Sequence, residues 1–427
     1  MTIKFRDGLE KKVFYIYLSH YIIEGMIRGV LILNEYVFLK SMGGDDWQLG
    51  LLFQFSTVVL VFSLLIDEII KRIDKRKILK TIALISRLPL FLMLFFPSAV
   101  GDAENKWIYH TAFLAIFFLF YTYQPVVMPI VNQYLKKGFA KENFGKFFGY
   151  ASSANKVVML ISTLLTGMLF DAYPDSYKYI YPIIGILGLA SIYLLTFIKI
   201  DLPVIDIAEL SIIKKFINST KSIFDVFKRN KAFRDFEIGF MLYGIAFMIT
   251  YPVIALFFVD VLNLNYSSIG LYKTGYNIVA ILILPFMGIL MDRIDPRKFA
   301  MLTFGSLMIE IVFLALAEYM PQSFQIFNFS MPYILIVAML FSGSFAATMS
   351  LLWFVGSAYF SKEETAGRNQ SIHLTLVGFR AMFAPLFGVA ILELIGYTWV
   401  FAISALILLA SVFYVGISMK RHLVGVD

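Results

Sequence analysis

Apolar residues in this chain do not alternate with polar ones; they run on. Stretches of roughly 20 or more mostly apolar residues recur twelve times, separated by short segments where charged and turn-forming residues collect. They cover about 13–38, 47–67, 78–97, 107–134, 146–170, 177–199, 236–260, 267–291, 299–318, 331–358, 370–393 and 397–418. About 20 apolar residues wound as a helix cross the roughly 30 Å hydrocarbon core of a bilayer. Each run therefore predicts one transmembrane helix. A membrane β-barrel would instead show ten-residue segments of alternating hydropathy. The expected fold class is an all-α polytopic membrane protein with twelve transmembrane helices.

Composition agrees. Of 427 residues, 59% are hydrophobic and 15% charged, against about 25% charged in soluble domains. Too few charges remain to cover a soluble surface, which excludes a soluble enzyme, a nucleic-acid binder and a disordered scaffold. The absence of cysteine removes disulfides and thiolate metal sites, and four histidines are too few for a His-rich metal cage. No Walker loop is present, so ATP is not the energy source, and no cofactor is implied.

The +8 net charge has a pattern. Twenty-eight of the 37 Lys and Arg residues lie in the N-terminal tail, the C-terminal tail and every second loop, and three lie in the opposite loops. By the positive-inside rule both termini are expected in the cytoplasm, with the chain in the inner membrane. The basic excess is topology, with no nucleic-acid partner implied. Lys4, Arg6, Lys11 and Lys12 precede the first run and no small-residue cleavage site follows it, so this run is expected to stay as a membrane helix.

The longest polar stretch divides six runs from six. The expected organisation is a bundle over 1–200, a linker over 201–235 and a second bundle over 236–427. Within the linker, Ile212, Ile213, Phe216, Ile217, Thr220, Ile223, Phe224 and Phe227 recur at helical spacing among lysines and arginines. That pattern predicts an amphipathic helix on the inner leaflet. The halves also repeat each other. Lys71-Arg72-Ile73-Asp74-Lys75-Arg76-Lys77 matches Asp292-Arg293-Ile294-Asp295-Pro296-Arg297-Lys298 at an offset of 221, and three further matches fall at 220 to 222. Two pseudo-symmetric six-helix bundles are the architecture of alternating-access transporters, with the substrate near the midplane between halves.

Gly288, Asp292, Arg293, Arg297 and Lys298 form a G-x-x-x-D-R-x-x-x-R-K run, which resembles the cytoplasmic loop signature of the major facilitator superfamily. With twelve spans, a central loop and the internal repeat, the resemblance covers nearly the whole chain. It implies a secondary transporter whose cytoplasmic gate is latched by this loop. Gate residues are then Asp292, Arg293 and Arg297, with Asp67, Arg72 and Arg76 in the first-half copy, which departs from the pattern by Asp67 for Gly and Lys71 for Asp.

Ionisable groups within spans are costly and mark a pathway by default. His20, Glu24, Arg28 and Glu35 lie along one face of span one. The stripe is expected to line the pathway; the alternatives are that Glu24 pairs with Arg28 within the helix, or neutralises Lys156. Lys156 and Arg380, 224 residues apart, fall at similar depth on spans five and eleven and are expected to hold an anion. Lys273, with Tyr123 and Gln124 from the proline-bent span four, completes the candidate substrate set, alongside Arg28. Arg87 and Glu310 fall on spans three and nine, peripheral in the resembled fold, and read as structural partners. Candidate proton carriers are Glu24, then Glu35, then Glu310, because a relay needs a carboxylate beside a cation.

Central cations outnumber central carboxylates by two, which favours a small anionic substrate moved with protons or another coupling ion by a monomer in the lipid bilayer. Proton-coupled efflux of amphipathic drugs is the competing transport reading. A non-transporting receptor or scaffold on the same fold is the reading of another class.

Overall fold

A computed structural model describes residues 5–62, 73–98, 100–200, 224–326, 329–355, 360 and 363–421. The chain divides into two compact units, Met1–Ala208 and Glu209–Asp427. The first contains α1 (Gly8–Leu31), α2 (Asp46–Val58), α3 (Lys75–Arg87), α4 (Lys106–Tyr121), α5 (Gln124–Gly138), α6 (Lys141–Ala172) and α7 (Tyr177–Leu195). The second contains α8 (Lys231–Leu256), α9 (Tyr266–Arg293), α10 (Pro296–Leu316), α11 (Ile334–Val355), α12 (Glu363–Ala381), α13 (Ala384–Ile395) and α14 (Tyr397–Arg421). Among the described residues, ten helical segments are long and apolar enough to cross a membrane, and Asp46–Val61 is a shorter apolar one. With α1, whose charged stripe lowers its hydropathy, these occupy the twelve places read from the sequence. The protein is an all-α polytopic membrane protein.

Three features depart from the sequence reading. Span four is two helices, α4 and α5, separated at Thr122 and Tyr123, and span eleven is α12 and α13, separated at Met382 and Phe383. Pro125 and Pro385 stand second in the later helix of each pair. A proline has no N–H to give the preceding turn and crowds the residue before it out of helical geometry. The loop after α10 also forms a small antiparallel hairpin, β1 (Ser323–Ile326) with β2 (Phe329–Pro332). The amphipathic linker helix falls mostly outside the described residues, which resume as helix at Phe224.

Within each unit the helices pack in the same order. In the first, α1 lies on α6 and α7, α3 on α7, and α2 on α4; in the second, α8 lies on α12, α13 and α14, α10 on α14, and α9 on α11. The α1–α6 approach depends on Gly25 and Gly29, four residues apart. A Cβ on Gly25 would sit 2.6 Å from the Asn155 carbonyl oxygen, and one on Gly29 would meet Met159 and Ser162. Small residues at this spacing allow close backbone contact in membranes. Hydrogen bonds from Ser162 to the Met26 carbonyl and from Thr163 to the Gly29 carbonyl, both 3.0 Å, close the seam.

The repeat extends to fine detail. π-type turns at Val37–Ser41 and Phe257–Val261 extend the first span of each half, 220 residues apart. Residues with positive φ follow at the same offset, Gly43 (64°) and Asn263 (50°). Asp45 and Asn265 then cap α2 and α9 by accepting from Gln48 N (2.8 Å) and Ser268 N (2.9 Å). Glu10 on α1 reaches across to the start of α6, accepting from Ala140 N (2.7 Å) and Asn143 Nδ2 (3.0 Å). Its counterpart Asn230 donates Nδ2 to the Phe360 carbonyl at 2.7 Å, just before α12. Helix N-termini leave N–H groups unsatisfied; at α6 another helix supplies the acceptor, whereas before α12 the direction is reversed and Asn230 is the donor.

Asp74 and Asp295 cap α3 and α10, each accepting from the backbone two residues on, at 2.7 Å from Arg76 N and 2.8 Å from Arg297 N. They differ in one respect. Asp295 also receives the buried Arg297 guanidinium through Nε (3.1 Å) and Nη2 (2.9 Å). Partial burial opposes the charge on Asp295, yet the hydrogen bonds from Arg297 outweigh it and hold the carboxyl below its ordinary range. Replacing Asp74 with Ala removes a cap alone and should cost about 1 kcal/mol. Asp295→Ala also strands a buried guanidinium and should cost on the order of 3 kcal/mol. Because the folded carboxyl is the more acidic, that stabilisation is complete above about pH 4 and is lost as pH falls through the folded value. Thermal unfolding in detergent at pH 7 and at pH 3 checks both points: the gap between wild type and Asp295→Ala should shrink at the lower pH.

Candidate functional site

Each unit buries a cluster of charge. In the first, the stripe on α1 turns inward because α6 and α7 cover it. His20 and Glu24, one turn apart, are 4% and 2% exposed. Ser191 on α7 bridges them, its Oγ 2.7 Å from His20 Nδ1 and 3.0 Å from Glu24 Oε1. The Tyr123 hydroxyl, at the break between α4 and α5, donates to Glu24 Oε2 at 3.2 Å.

The cation facing this carboxylate is Arg87, the last residue of α3. Its Nη2 lies 3.9 Å from Glu24 Oε1, and both side chains are buried. The guanidinium is held between two rings, its Cζ 4.0 Å from the centre of Phe120 and 4.1 Å from that of Tyr123. Gly188 leaves room behind it; a Cβ there would lie 2.5 Å from Arg87 Nε. At 3.9 Å the ion pair is too long to be a hydrogen bond, and the Arg87 nitrogens have no hydrogen-bond partner among the described residues. The structure thus sets aside both alternative pairings of Glu24. Arg28 is exposed on its unit, its guanidinium 5.8 Å over the Tyr21 ring, and Lys156 is half-buried on α6. Gln124 opens α5 half-buried, and Glu35 lies in the turn after α1, half-buried and engaged.

In the second unit Arg380 is 1% exposed, one residue before the end of α12. Its Nη1 donates to the Phe240 carbonyl at 2.6 Å, and its Cζ stands 5.1 Å from the Phe240 ring and 5.5 Å from the Tyr243 ring. Gly244 lies directly against the guanidinium, where a Cβ would overlap it. Tyr243 is fixed by stacking on Phe304, with centroids 4.8 Å apart. Among the described residues, no carboxylate forms an ion pair with Arg380.

Two turns earlier on α12, His373 Nδ1 lies 3.0 and 3.1 Å from the two oxygens of Glu237 on α8. The third group joins α8, α9 and α10. The Tyr272 hydroxyl donates to Glu310 at 3.1 Å, and the neighbouring Lys273 holds its ammonium 4.9 Å over the Tyr251 ring.

The loop residues behave differently. Arg297 pairs with Asp295 and donates Nη1 to the Ser418 carbonyl on α14 at 3.1 Å, so it braces its own unit. The gate reading grouped Arg297 with Asp292 and Arg293; the side chain of Asp292 lies outside the described residues, as do Asp67 and Arg72. Arg76 and Arg293 are exposed. Reading the sequence passed over Ser191, Glu237 and His373. The last two carry their own signal, an ionisable group inside an apolar run; Ser191 has none beyond its repeat with Ser411.

Among the described residues, ten helical segments long and apolar enough to cross a membrane, with α1 and Asp46–Val61, lie in two repeated units that each bury charge, the arrangement of a polytopic membrane protein. The sequence matches the Major Facilitator Superfamily over residues 13–234 and 236–422, and the chain belongs to that family. Among solved structures it resembles the nucleoside transporter NupG at 15% identity and a TM-score of 0.65, covering 97% of this chain and 100% of that one. The xylose transporter XylE from E. coli, inward open, matches at 12% and 0.65, covering 95% of each chain. The peptide transporter POT in complex with sulfate matches at 10% and 0.67, covering 96% of this chain and 94% of that one. At such identities the likeness is one of fold. No curated protein sequence matches the chain significantly.

Removing one partner of a buried ion pair strands the other charge, at a cost of about 3–5 kcal/mol. Glu24→Gln and Arg87→Gln should each lower thermal stability in that range. The double variant should be more stable than the sum of the two effects predicts, by about 1–3 kcal/mol. Additive effects in a thermal-unfolding cycle would show that the two groups do not interact.

Proposed function

We propose that this transporter moves a small anionic solute across the cytoplasmic membrane by alternating access, coupled to protons, with both termini cytoplasmic. The observation that carries the reading is Arg380: a guanidinium 1% exposed, with no carboxylate ion-paired to it among the described residues and its Nε without a hydrogen-bond partner. A buried guanidinium with no carboxylate in direct contact is expensive, and an anionic substrate supplies the missing contact. Arg87 offers a second site of this kind, because its N–H groups are uncommitted and its carboxylate stands off at 3.9 Å. Arg28, Lys156, Lys273, Tyr123 and Gln124 complete the proposed substrate contacts.

Proton coupling follows from competition at Arg87. A substrate anion that draws on this guanidinium weakens its hold on Glu24, and Glu24 then binds a proton to avoid standing as an unpaired buried charge. Ser191 and Tyr123 remain to hydrogen-bond the neutral acid. Glu310, with Tyr272 on its carboxyl and Lys273 adjacent, is the second carboxylate for this role, and Glu35 the third. The fold alone selects no substrate, since relatives of the same architecture are named for a nucleoside, a sugar and peptides.

A thermal-shift screen of the purified protein against anionic and cationic metabolites tests the charge preference. Anions should raise the melting temperature, and Arg380→Ala should weaken the response by about 100-fold in concentration, corresponding to roughly 3 kcal/mol. A response to cations alone would move the reading to drug efflux. In proteoliposomes, Glu24→Gln should retain exchange of the selected anion and accumulate less of it under a pH gradient than wild type does; accumulation at the wild-type level would remove Glu24 from the mechanism.

A further inference from the structure

The reading above leaves one buried pair unused. His373 and Glu237 have side chains 1% and 2% exposed and meet across α12 and α8. An ionised Glu237 can only accept, and Nδ1, 3.0 and 3.1 Å from its two oxygens, is the nitrogen placed to donate to it. Nε2 has no hydrogen-bond partner among the described residues, which leaves it open to a proton. We infer that His373 and Glu237 form a proton-binding site whose occupancy is tied to the anion held by Arg380, so that this unit takes up one proton with each anion it loads.

Phe240 connects the two positions. Its ring lies 4.5 Å from the His373 ring, and the Arg380 Cζ lies 5.1 Å from the same Phe240 centroid. Its carbonyl accepts from Arg380 Nη1. Seven residues along α12 place the two cationic groups about 10 Å apart. Among the described residues, the ionisable groups around His373 are Glu237 from α8 and Arg380 from its own helix, with the Tyr243 phenol of α8 beyond, against Arg380. From α11 it meets the Trp353 ring at 5.5 Å, which carries no charge.

The charge count is what links proton and anion. With Arg380 positive, Glu237 negative and His373 neutral, the empty cluster sums to zero. A proton on Nε2 alone makes it +1, and a monovalent anion on Arg380 alone makes it −1. Either is a net charge buried among apolar helices, which such an environment disfavours. Both together return the sum to zero. At about 10 Å and an effective dielectric of 20 the attraction between the two ligands is worth about tenfold in the affinity of each for the site holding the other. The proton comes from solvent and no covalent bond other than N–H forms or breaks.

This inference rests on the anion reading at Arg380, and the test separates the two. Full-length wild type, His373→Gln, Glu237→Gln and Arg380→Gln are reconstituted in liposomes containing a trapped pH dye. Labelled phosphate, sulfate, lactate and succinate serve as probes. For any probe that wild type exchanges, His373→Gln and Glu237→Gln should still exchange it down its own gradient, which also shows that they are folded. Their proton uptake per anion should fall by one, so that accumulation under a one-unit pH gradient drops about tenfold. Arg380→Gln should lose exchange itself. Unchanged proton uptake in both His373→Gln and Glu237→Gln overturns the coupling site and leaves the anion reading standing. Failure of every anion to be exchanged, or exchange that survives Arg380→Gln, overturns the anion reading and the coupling site with it.

Discussion

A charge buried among apolar helices must be met by an opposite charge, a hydrogen bond or the face of a ring. The arrangement of both units follows from how that demand is met. Glu24 is met by Ser191, Tyr123 and Arg87. Arg297 is met by Asp295 and the end of α14, and the result is a rigid corner. Arg380 is met by one carbonyl and two aromatic rings, and no carboxylate is ion-paired to it among the described residues. The three cases differ in how completely the charge is satisfied. Complete satisfaction braces the fold, and an incomplete one leaves a group that a ligand can complete.

The same residues lie where the helices lose their regularity. Arg87 ends α3, after which the chain tightens into a 3₁₀ turn over Leu88–Phe95 containing Pro89. Tyr123 occupies the break before Pro125, and Arg380 comes just ahead of the break before Pro385. An interrupted helix exposes backbone groups and turns side chains that a continuous helix would point elsewhere, and in membrane proteins such segments are tolerated where they are buried or line a ligand site. The breaks are also where the internal repeat fails. The fourth span is interrupted in the first half and the fifth in the second, although the π turns, caps and cross-helix ties recur at an offset of 220.

Much of this was legible in the sequence because the membrane imposes a coarse, long-range pattern. Twelve apolar runs, the alternation of basic loops and the repeated loop motif each depend on residue type over many positions, and the apolar runs have their counterpart in the described helices. The stripe of His20, Glu24, Arg28 and Glu35 was also visible, since its spacing is a property of one helix. Its partners were not. Arg87 is 63 residues from Glu24 and Ser191 is 167, on other helices whose approach to Glu24 leaves no local mark. His373 and Glu237, 136 apart, show the same limit.

From the chain alone, then, came the number of membrane helices, the division into repeated halves and the family, because hydropathy, charge asymmetry and period survive without any knowledge of contacts. Tertiary structure decided which buried charges cancel and which do not. It paired Glu24 with Arg87, where neighbours on the helix and matching depth had pointed to Arg28 and Lys156, and it tied Arg297 to Asp295 and α14. Electrostatic pairing is short-ranged and depends on side-chain direction across packed helices, so two residues at the right depth remain strangers until the fold turns them toward each other.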